Sequence, residues 1–540
     1  MCSMDYIMIF KLLGGLGLFV YGMQLMGDGL QKAAGNKLKK IVEALTRNRI
    51  LAVLVGAGVT AILQSSSATT VMVVGFVNAG LMNLFQAAGV IMGANIGTTI
   101  TAQLIAFKLS DVAPLILGIG AVIVLFSKKK RTKDLGDIVL GFGILFVGMS
   151  MMENAMKPLG ELDAFRNLIL TIGQHPLLGV LVGLAMTATV QSSSATIGIL
   201  MALASNNSIS LNAALPILFG DNIGTCVTAL LASIGTNKNA RRAALIHLTF
   251  NCVGTLLFMS AFSLVMKFIP MLGGDIQRQI ANAHTIFNIT NVIVQIPFIP
   301  LLVKFVNKLV PGEDIDSSGL KLEYLDARLL ETPSIACGQV VKEITRLAKT
   351  SHKNLDNAMS AFLNYDEKLI DSVFEQEKLV NFLQREITDY MVSLSNTSLS
   401  EQQSQLITSL FHVVSDFERI GDHATNLAEL AQYKLENNLI LSDNAVSGLK
   451  NLYSLSNEAV ELAILSLSNL DFEAANKVLE TEEKIDQLEE QLRREHISWL
   501  SSRTCTPAAG SIFVDLLSNL ERVGDHSDNI AHMVLDLDIK

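Results

Sequence analysis

The chain has 540 residues, of which 50 % are apolar and only 17 % charged, at a mean hydropathy of +0.42. That balance excludes a disordered polymer and an ordinary soluble enzyme, and makes a membrane protein the expectation. Residues 1–310 hold 22 Lys/Arg and 11 Asp/Glu and the remainder holds 19 and 39, so the overall charge of −9 averages a basic apolar part and an acidic water-facing part and points to no nucleic acid.

Taken in order, the tracts long and apolar enough to cross a bilayer are Ile7 to Met26, Leu84 to Phe107, Val112 to Phe126, Ile138 to Met152, Leu211 to Ile234, Ala243 to Phe268 and Thr285 to Val303. The first lacks a preceding basic stretch and is followed by many more spans, so it is expected to be a transmembrane helix and not a cleaved signal. Two further tracts, Leu51 to Val77 and Leu177 to Ala204, are each interrupted centrally by Gln-Ser-Ser-Ser. Each half is too short to cross, and re-entrant hairpins are expected, with protein or a water-filled cavity satisfying the backbone at the tip. Lys/Arg cluster in Lys32 to Arg49, Lys128 to Lys133, Lys238 to Arg242 and at Lys304 with Lys308. Seven crossings and two hairpins put all of these on the cytoplasmic side, the N-terminus outside and the acidic part in the cytoplasm. Five scattered cysteines, Cys2, Cys226, Cys252, Cys337 and Cys505, indicate neither a disulfide framework nor a thiolate metal site.

The membrane part is duplicated. QSSSATT (Gln64 to Thr70) recurs as QSSSATI (Gln191 to Ile197), and GANIGTT (Gly93 to Thr99) as GDNIGTC (Gly220 to Cys226), both at an offset of 127, while Gly22 matches Gly148 at 126. The copies, at about residues 7–127 and 136–268, each contain three crossings and a hairpin, an odd number of crossings, so the second must be inverted. Inverted repeats with broken helices are the architecture of secondary transporters, with the site at the shared midplane.

The motif chemistry suits an oxyanion and sodium. At each tip one half-helix ends near the glutamine, presenting carbonyls to a cation, and the next begins at the serines, presenting N–H groups to an anion. Gln64, Ser65, Ser66, Ser67 and Thr69, with Gln191, Ser192, Ser193, Ser194 and Thr196, are therefore candidate substrate and sodium ligands. Asn95, Thr98, Asn222 and Thr225 add amides and hydroxyls beside helix-breaking glycines. Such residues in a single motif would more often serve close helix packing; two motifs repeated in fixed register reverse that preference. Asp221 stands where the first copy has Ala94 and is the sole carboxylate in these broken helices. A Na⁺ ligand or proton carrier is the expectation, with a structural pair as the alternative. HLTFN (His247 to Asn251) echoes HTIFN (His284 to Asn288), and these are assigned to interhelical hydrogen bonding.

These residues resemble the type II sodium/phosphate cotransporter family in its bacterial form, over about Ile7 to Val310. The resemblance implies Na⁺-driven symport of inorganic phosphate, with both QSSS segments at the substrate and sodium sites.

A turn-rich acidic linker (residues 311–334) leads to amphipathic stretches from Ile335 to Lys540 that fit a soluble six-helix bundle. ERIGDHATN (Glu418 to Asn426) recurs as ERVGDHSDN (Glu521 to Asn529), and FEQEKLVNFLQREI (Phe374 to Ile387) resembles LETEEKIDQLEEQL (Leu479 to Leu492), giving two three-helix repeats. Glu418 and Asp422, Glu482 and Asp486, and Glu521 and Asp525 are spaced four apart, so each pair shares a helix face. Like charges so placed repel and favour a bound hard cation, Mg²⁺, Mn²⁺ or iron. The alternative is a solvated face on which Arg419 or Arg522 neutralises the acids. This half resembles the PhoU family of phosphate-uptake regulators, which implies metal clusters on each repeat and a regulatory role; Asn381 departs from the pattern where the second copy has Asp486.

The fold expected is thus all-α, a polytopic membrane transporter of two inverted repeats followed by a PhoU-like domain, in the bacterial cytoplasmic (inner) membrane. Na⁺ is the expected coupling ion. Inorganic phosphate, membrane lipid, and a second copy of the chain or a phosphate-signalling protein are the expected partners. No P-loop, HExxH, GxSxG or kinase signature points to an enzyme. A membrane-tethered phosphate sensor without net transport is the other reading left open.

Overall fold

The computed structural model describes residues 2–34, 48–107, 109, 111–158, 162–312, 320–501 and 506–537. It is all-helical, with no strand among the described residues. It divides into two compact units, Met1–Ile315 and Asp316–Lys540. Most of the basic segment between Lys32 and Arg49, part of the linker, and Cys505 lie outside the described residues.

The membrane unit opens with α1 (Cys2–Ala34), followed by α2 (Arg49–Leu63), α3 (Ser66–Asn78) and α4 (Leu84–Ile105). Gln64 closes α2 in the left-handed conformation (φ 54°), and Ser65 turns extended to cap α3, its hydroxyl accepting from Ala68 N at 3.1 Å. Glycines show how these helices run. A Cβ on Gly89 would meet Arg49 O and Ala52, one on Gly93 would come 2.0 Å from Val53 O, and one on Gly97 would strike Thr60 Cβ at 2.6 Å. Contacts advance together along both chains, so α2 and α4 are parallel and nearly in backbone contact. With α4 starting beside the start of α2, α3 must carry the chain back, and α2 and α3 form a hairpin with Gln64 and Ser65 at its tip.

The second copy repeats this in α8 (Pro176–Val190), α9 (Ser193–Ser205), α10 (Leu211–Gly224) and α11 (Cys226–Ala232), whose order follows α5 (Ala113–Phe126), α6 (Lys130–Met156) and α7 (Asp163–Gln174). Gln191 has φ 54°, Ser192 caps α9, and Gly183, Gly220 and Gly224 press on Ile217 O, Val180 O and Thr187 Cβ as their counterparts do 127 residues earlier.

Inversion is visible where α1 meets α6. A Cβ on Gly22 would lie 2.6 Å from Gly141 O, one on Gly141 the same distance from Gly22 O, and Gly15 faces Gly148. Since residue numbers rise along one helix as they fall along the other, the pair is antiparallel. At the repeat offset Gly22 corresponds to Gly148 and Gly15 to Gly141, so equivalent helices cross a local two-fold axis and one copy is upside down relative to the other.

Several expected crossings end differently. Among the described residues six helices are long and apolar enough to span, or seven if the bent pair α7 and α8 is one span, so the expected number is reached only with a different member. Instead of a full crossing over Val112 to Phe126, α5 has 14 residues, a rise of about 21 Å against an apolar layer of roughly 30 Å. Pro114 sets its start and the Ser127–Lys129 turn its end, and Gly120 and Gly143 hold it antiparallel to α6. The Ala243 to Phe268 tract breaks between α12 (Lys238–Ser260) and α13 (Phe262–Met271). By contrast, the Thr285 to Val303 tract lies within one 34-residue span, Ile276–Leu309, in which α14 (Ile276–Gln295) and α15 (Ile299–Leu309) are joined by a 3₁₀ turn at Ile296–Phe298, where Pro297 and Pro300 cannot supply ladder N–H groups. The sequence reading also missed α7, which is apolar on one side and bends 114° into α8. The α12 and α14 helices pack antiparallel, with Asn291 filling the space over Gly254, Gln295 donating to Phe250 O at 3.0 Å, and the Phe258 and Phe287 rings 4.8 Å apart.

In the C-terminal unit the six expected helices are α16 (Pro333–Asn364), α17 (Glu367–Ser395), α18 (Glu401–Glu436), α19 (Asp443–Asn469), α20 (Phe472–Ser501) and α21 (Pro507–Asp536). Their ends are written locally. Ser400 and Gln403 form a capping box, Ser442 and Thr506 cap their helices, and α16 and α19 both stop at a left-handed residue, Tyr365 and Leu470. Apolar faces of α16–α18 and α19–α21 close two three-helix repeats, and α18 packs on α21 across the pseudo-two-fold.

Candidate substrate and cation sites

Each hairpin tip is tied to the following helix of its own copy: α4, which runs unbroken through Asn95–Thr98 where a break was expected because Gly97 packs on Thr60 inside the helix, and α10, which does end at Gly224. In the first, Thr60 donates to Thr69 at 2.9 Å across the hairpin, Thr69 donates in turn to Ser65 O, and Ser66 is buried. Gln64 is buried too, its Nε2 donating to Ala61 O and its Oε1 accepting from Thr101 at 2.9 Å. Ser67 O accepts from Thr70, and Thr98 donates to Ala94 O. Asn95 Nδ2 reaches Asn251 Oδ1 on α12 at 3.1 Å, the interhelical bond expected of the HxxFN echo. The expectation fails for the other members: both ring nitrogens of His247, Nδ1 of His284 and Oδ1 of Asn288 are enclosed without a partner, and Asn288 donates to His284 O of its own helix.

In the second copy the Thr187 and Thr196 hydroxyls lie 3.0 Å apart, and Ser192 accepts from Ala195 N at 3.2 Å, with Ser193 and Ser194 buried. Asn222 and Thr225 satisfy their own helix, donating to Leu218 O and Asn222 O. Two features break the symmetry. Gln191 is exposed where Gln64 is buried, and the hydroxyl of Thr228, the counterpart of Thr101, is enclosed without a hydrogen-bond partner. Asp221 is 1 % exposed, its Oδ1 accepting from Thr187 at 2.5 Å and its Oδ2 enclosed with no partner.

A carboxylate oxygen sealed from solvent beside two linked threonine hydroxyls is a ready ligand for a small hard cation. Thr60, Thr187 and Thr101 were not singled out from the sequence, although the 127-residue offset joins Thr60 to Thr187 and Thr101 to Thr228 and could have found them. At the serine-capped starts of α3 and α9 the first-turn N–H groups face the tips, an arrangement of the kind an oxyanion can use.

In the C-terminal unit Glu482, Asp486 and Asp525 offer carboxylate oxygens within 4.8 Å of one another. Burial and the neighbouring Asp486 raise Glu482 to about 7, and Asp486, Glu521 and Asp528 are also raised, chiefly by burial. Carboxylates held this close against mutual repulsion fit a divalent cation with oxygen ligands. In the first repeat Glu418 is raised by burial and Asp422, and Glu377, burdened by burial, Asp422 and Glu418, hydrogen-bonds Thr425. Glu377 and Asp528 were missed in the sequence because their neighbours lie on other helices or one turn outside the repeated pairs.

The family profile described as Na+/Pi-cotransporter matches residues 18–154 and 147–275. YqeW of Bacillus subtilis is 31 % identical over 295 residues, covering 55 % of this chain and 96 % of its own. The chain belongs to the Na⁺/Pi-cotransporter family. It is a membrane protein, and it carries a PhoU domain, matched over residues 344–431 and 449–534. YjbB of Escherichia coli K12, by its name a candidate inorganic phosphate exporter, shares both parts, being 24 % identical over 537 residues, 98 % of this chain and 97 % of its own. The crystal structure of PhoU from Pseudomonas aeruginosa aligns at 24 % identity over 37 % of this chain and 95 % of that one, with a TM-score of 0.36.

Proposed function

We propose that the membrane unit of this Na⁺/Pi-cotransporter family member moves inorganic phosphate across the bacterial cytoplasmic membrane, coupled to Na⁺, and that the PhoU domain sits in the cytoplasm, binds divalent cations and regulates the flux. The observation that carries the coupling is Asp221. An enclosed carboxylate with one unpartnered oxygen is costly to keep in a membrane protein, and a Na⁺ beside Thr187 and Thr196 removes that cost. The inverted copies supply two equivalent gates around one site, as alternating access requires. One net charge crossing 100 mV carries roughly 2.3 kcal/mol, so the membrane potential adds to the Na⁺ gradient only when the Na⁺ charges moved exceed the negative charge of the phosphate. A secondary transporter is reversible, and the gradients set the direction; the name of YjbB favours efflux as the cellular direction.

Flux of labelled phosphate in proteoliposomes, with the Na⁺ gradient imposed in each direction, tests the reading. Phosphate movement that follows the imposed Na⁺ gradient is expected. Saturable binding with no flux in either direction would replace transport by sensing.

A further inference from the structure

We propose that the PhoU domain has a binding site for a phosphate-class oxyanion in the cleft between α18 and α21, separate from its carboxylate clusters and from the membrane site. The repeated ERxGDH motifs contain two kinds of residue. The glutamate and aspartate supply the carboxylates of the acidic clusters, Asp422 also reaching the cleft, whereas the arginine, the histidine and the following asparagine are repeated just as strictly and are not among the carboxylates grouped at Glu482, Asp486 and Asp525. The fold explains where they go. Packing α18 against α21 brings Arg419, Asp422, His423, Asn426, Arg522 and His526 around one open cleft of about 390 Å³.

The histidines are held from across the pseudo-two-fold. His423 Nδ1 lies 2.8 Å from Asn519 Oδ1 and His526 Nδ1 lies 3.0 Å from Asp416 Oδ1, with the two rings 5.6 Å apart. Both partners are acceptors, so Nδ1 carries the hydrogen in each ring and Nε2 is left to accept from a protonated oxygen (P–OH) of the ligand. Asp416 and Asn519 are themselves equivalent at the 103-residue offset that relates Arg419 to Arg522. The brace is thus duplicated along with the motif.

Charge decides the class of ligand. Arg419 approaches Asp422 only at 3.8 Å, and among the described residues Arg522 has no ion-pair partner. Each arginine also eases the acid before it, Arg419 acting on Glu418 and Arg522 on Glu521, but neither is locked into a close ion pair that would withhold its guanidinium from a ligand. Two guanidinium groups repel a metal ion but match the paired oxygens of a phosphate, which each can hold bidentately. Asn426 adds a neutral donor at the rim, and the cleft is wide enough for phosphate or for the phosphate of a nucleoside monophosphate.

The test uses the full chain in lipid nanodiscs, without Na⁺ and with Mg²⁺ present to screen the flanking carboxylates. Equilibrium binding of radiolabelled inorganic phosphate is measured, with adenosine monophosphate as a second probe. Phosphate binding assigns the cleft to the free ion, and binding of adenosine monophosphate alone assigns it to a phosphate ester. In either case the R419Q/R522Q double variant should weaken binding by about tenfold or more. R419K/R522K should recover part of it, and alanine at Ser65–Ser67 and Ser192–Ser194 should leave it intact. An unchanged melting temperature for the double variant shows that the loss is not unfolding. Binding of neither probe, or binding that follows the serine variants and ignores the arginine ones, would overturn the site while leaving the transport reading where it stands.

Discussion

The hydroxyl of Thr187 donates to Oδ1 of Asp221 at 2.5 Å, whereas the equivalent Thr60 faces Ala94 and has only Thr69. Replacing Asp221 by Asn keeps an oxygen beside Thr187 but deletes the charge. If Asp221 holds Na⁺, the sodium concentration for half-maximal phosphate flux should rise about 10- to 100-fold, the range of one charge-assisted contact. Flux at saturating Na⁺ should suffer less. A changed pH profile with unchanged Na⁺ dependence would make Asp221 a proton carrier, and curves overlaying wild type in both would return it to a structural role.

The serines at the two tips should separate folding from transport. Ser65→Ala and Ser192→Ala each remove a helix cap, a cost of about 1 kcal/mol. Alanine at all of Ser65–Ser67 or Ser192–Ser194 should leave the protein inserted but strongly reduce Na⁺-dependent flux. Near-normal flux in both triple variants would remove the tips from the substrate site.

Glycine packing gives a stability test independent of function. A Cβ at Gly93 or Gly220 would sit 2.0 Å or 1.9 Å from a backbone oxygen of the parallel helix, while nothing lies within 4 Å of one at Gly58. Gly93→Ala and Gly220→Ala should therefore destabilise by about 1–3 kcal/mol or more, and Gly58→Ala should be neutral to stabilising. Melting temperatures in detergent would show the order, and equal effects at all three sites would contradict the close approach of α2 to α4.

Sidedness follows from α6. Cysteines introduced at Lys130, the first residue of α6, and at Asp163, beyond its end, should react with an impermeant reagent from opposite faces of the membrane. Labelling of both from one face would overturn the assignment of α6 as a crossing and, with it, the cytoplasmic placement of the PhoU domain.

Glu482 is raised to about 7 from an ordinary 4.5 by burial and by Asp486. A cation must displace that proton, so Mn²⁺ or Mg²⁺ affinity should fall by about tenfold for each pH unit below 7. Without metal the sign of the stability effect is opposite. A carboxyl whose pKa is raised in the fold contributes most below 4.5, and that contribution is lost as the pH rises through about 7. Calorimetry of metal binding at several pH values checks the first statement, and Glu482→Gln should abolish its pH dependence.

Much of the site could be read directly from the chain because duplication repeats chemistry in register. Gln64 and Gln191, the serine caps, and the glycines of GANIGTT and GDNIGTC all have locally determined conformations, and local conformation is written in short stretches of sequence. The Glu482–Asp486 pair was legible for the same reason, since helical spacing alone puts both on one face.

What joins residues of distant number was not legible. Thr187 finds Asp221 only because Gly183, Gly220 and Gly224 let two parallel helices approach to backbone contact. Arg419 and Arg522 share a cleft because α18 and α21 cross, and nothing in either motif states that crossing. Helix ends suffered likewise. Hydropathy continues across the break between α12 and α13, but the helix does not. The sequence by itself determined two inverted copies, serine-capped hairpins and an acidic helical domain, since composition, period and repeat offset are properties of the chain alone. Only the tertiary structure decided that Gln64 is buried on Thr101 while Gln191 stands exposed, because two identical motifs differ only in what packs around them.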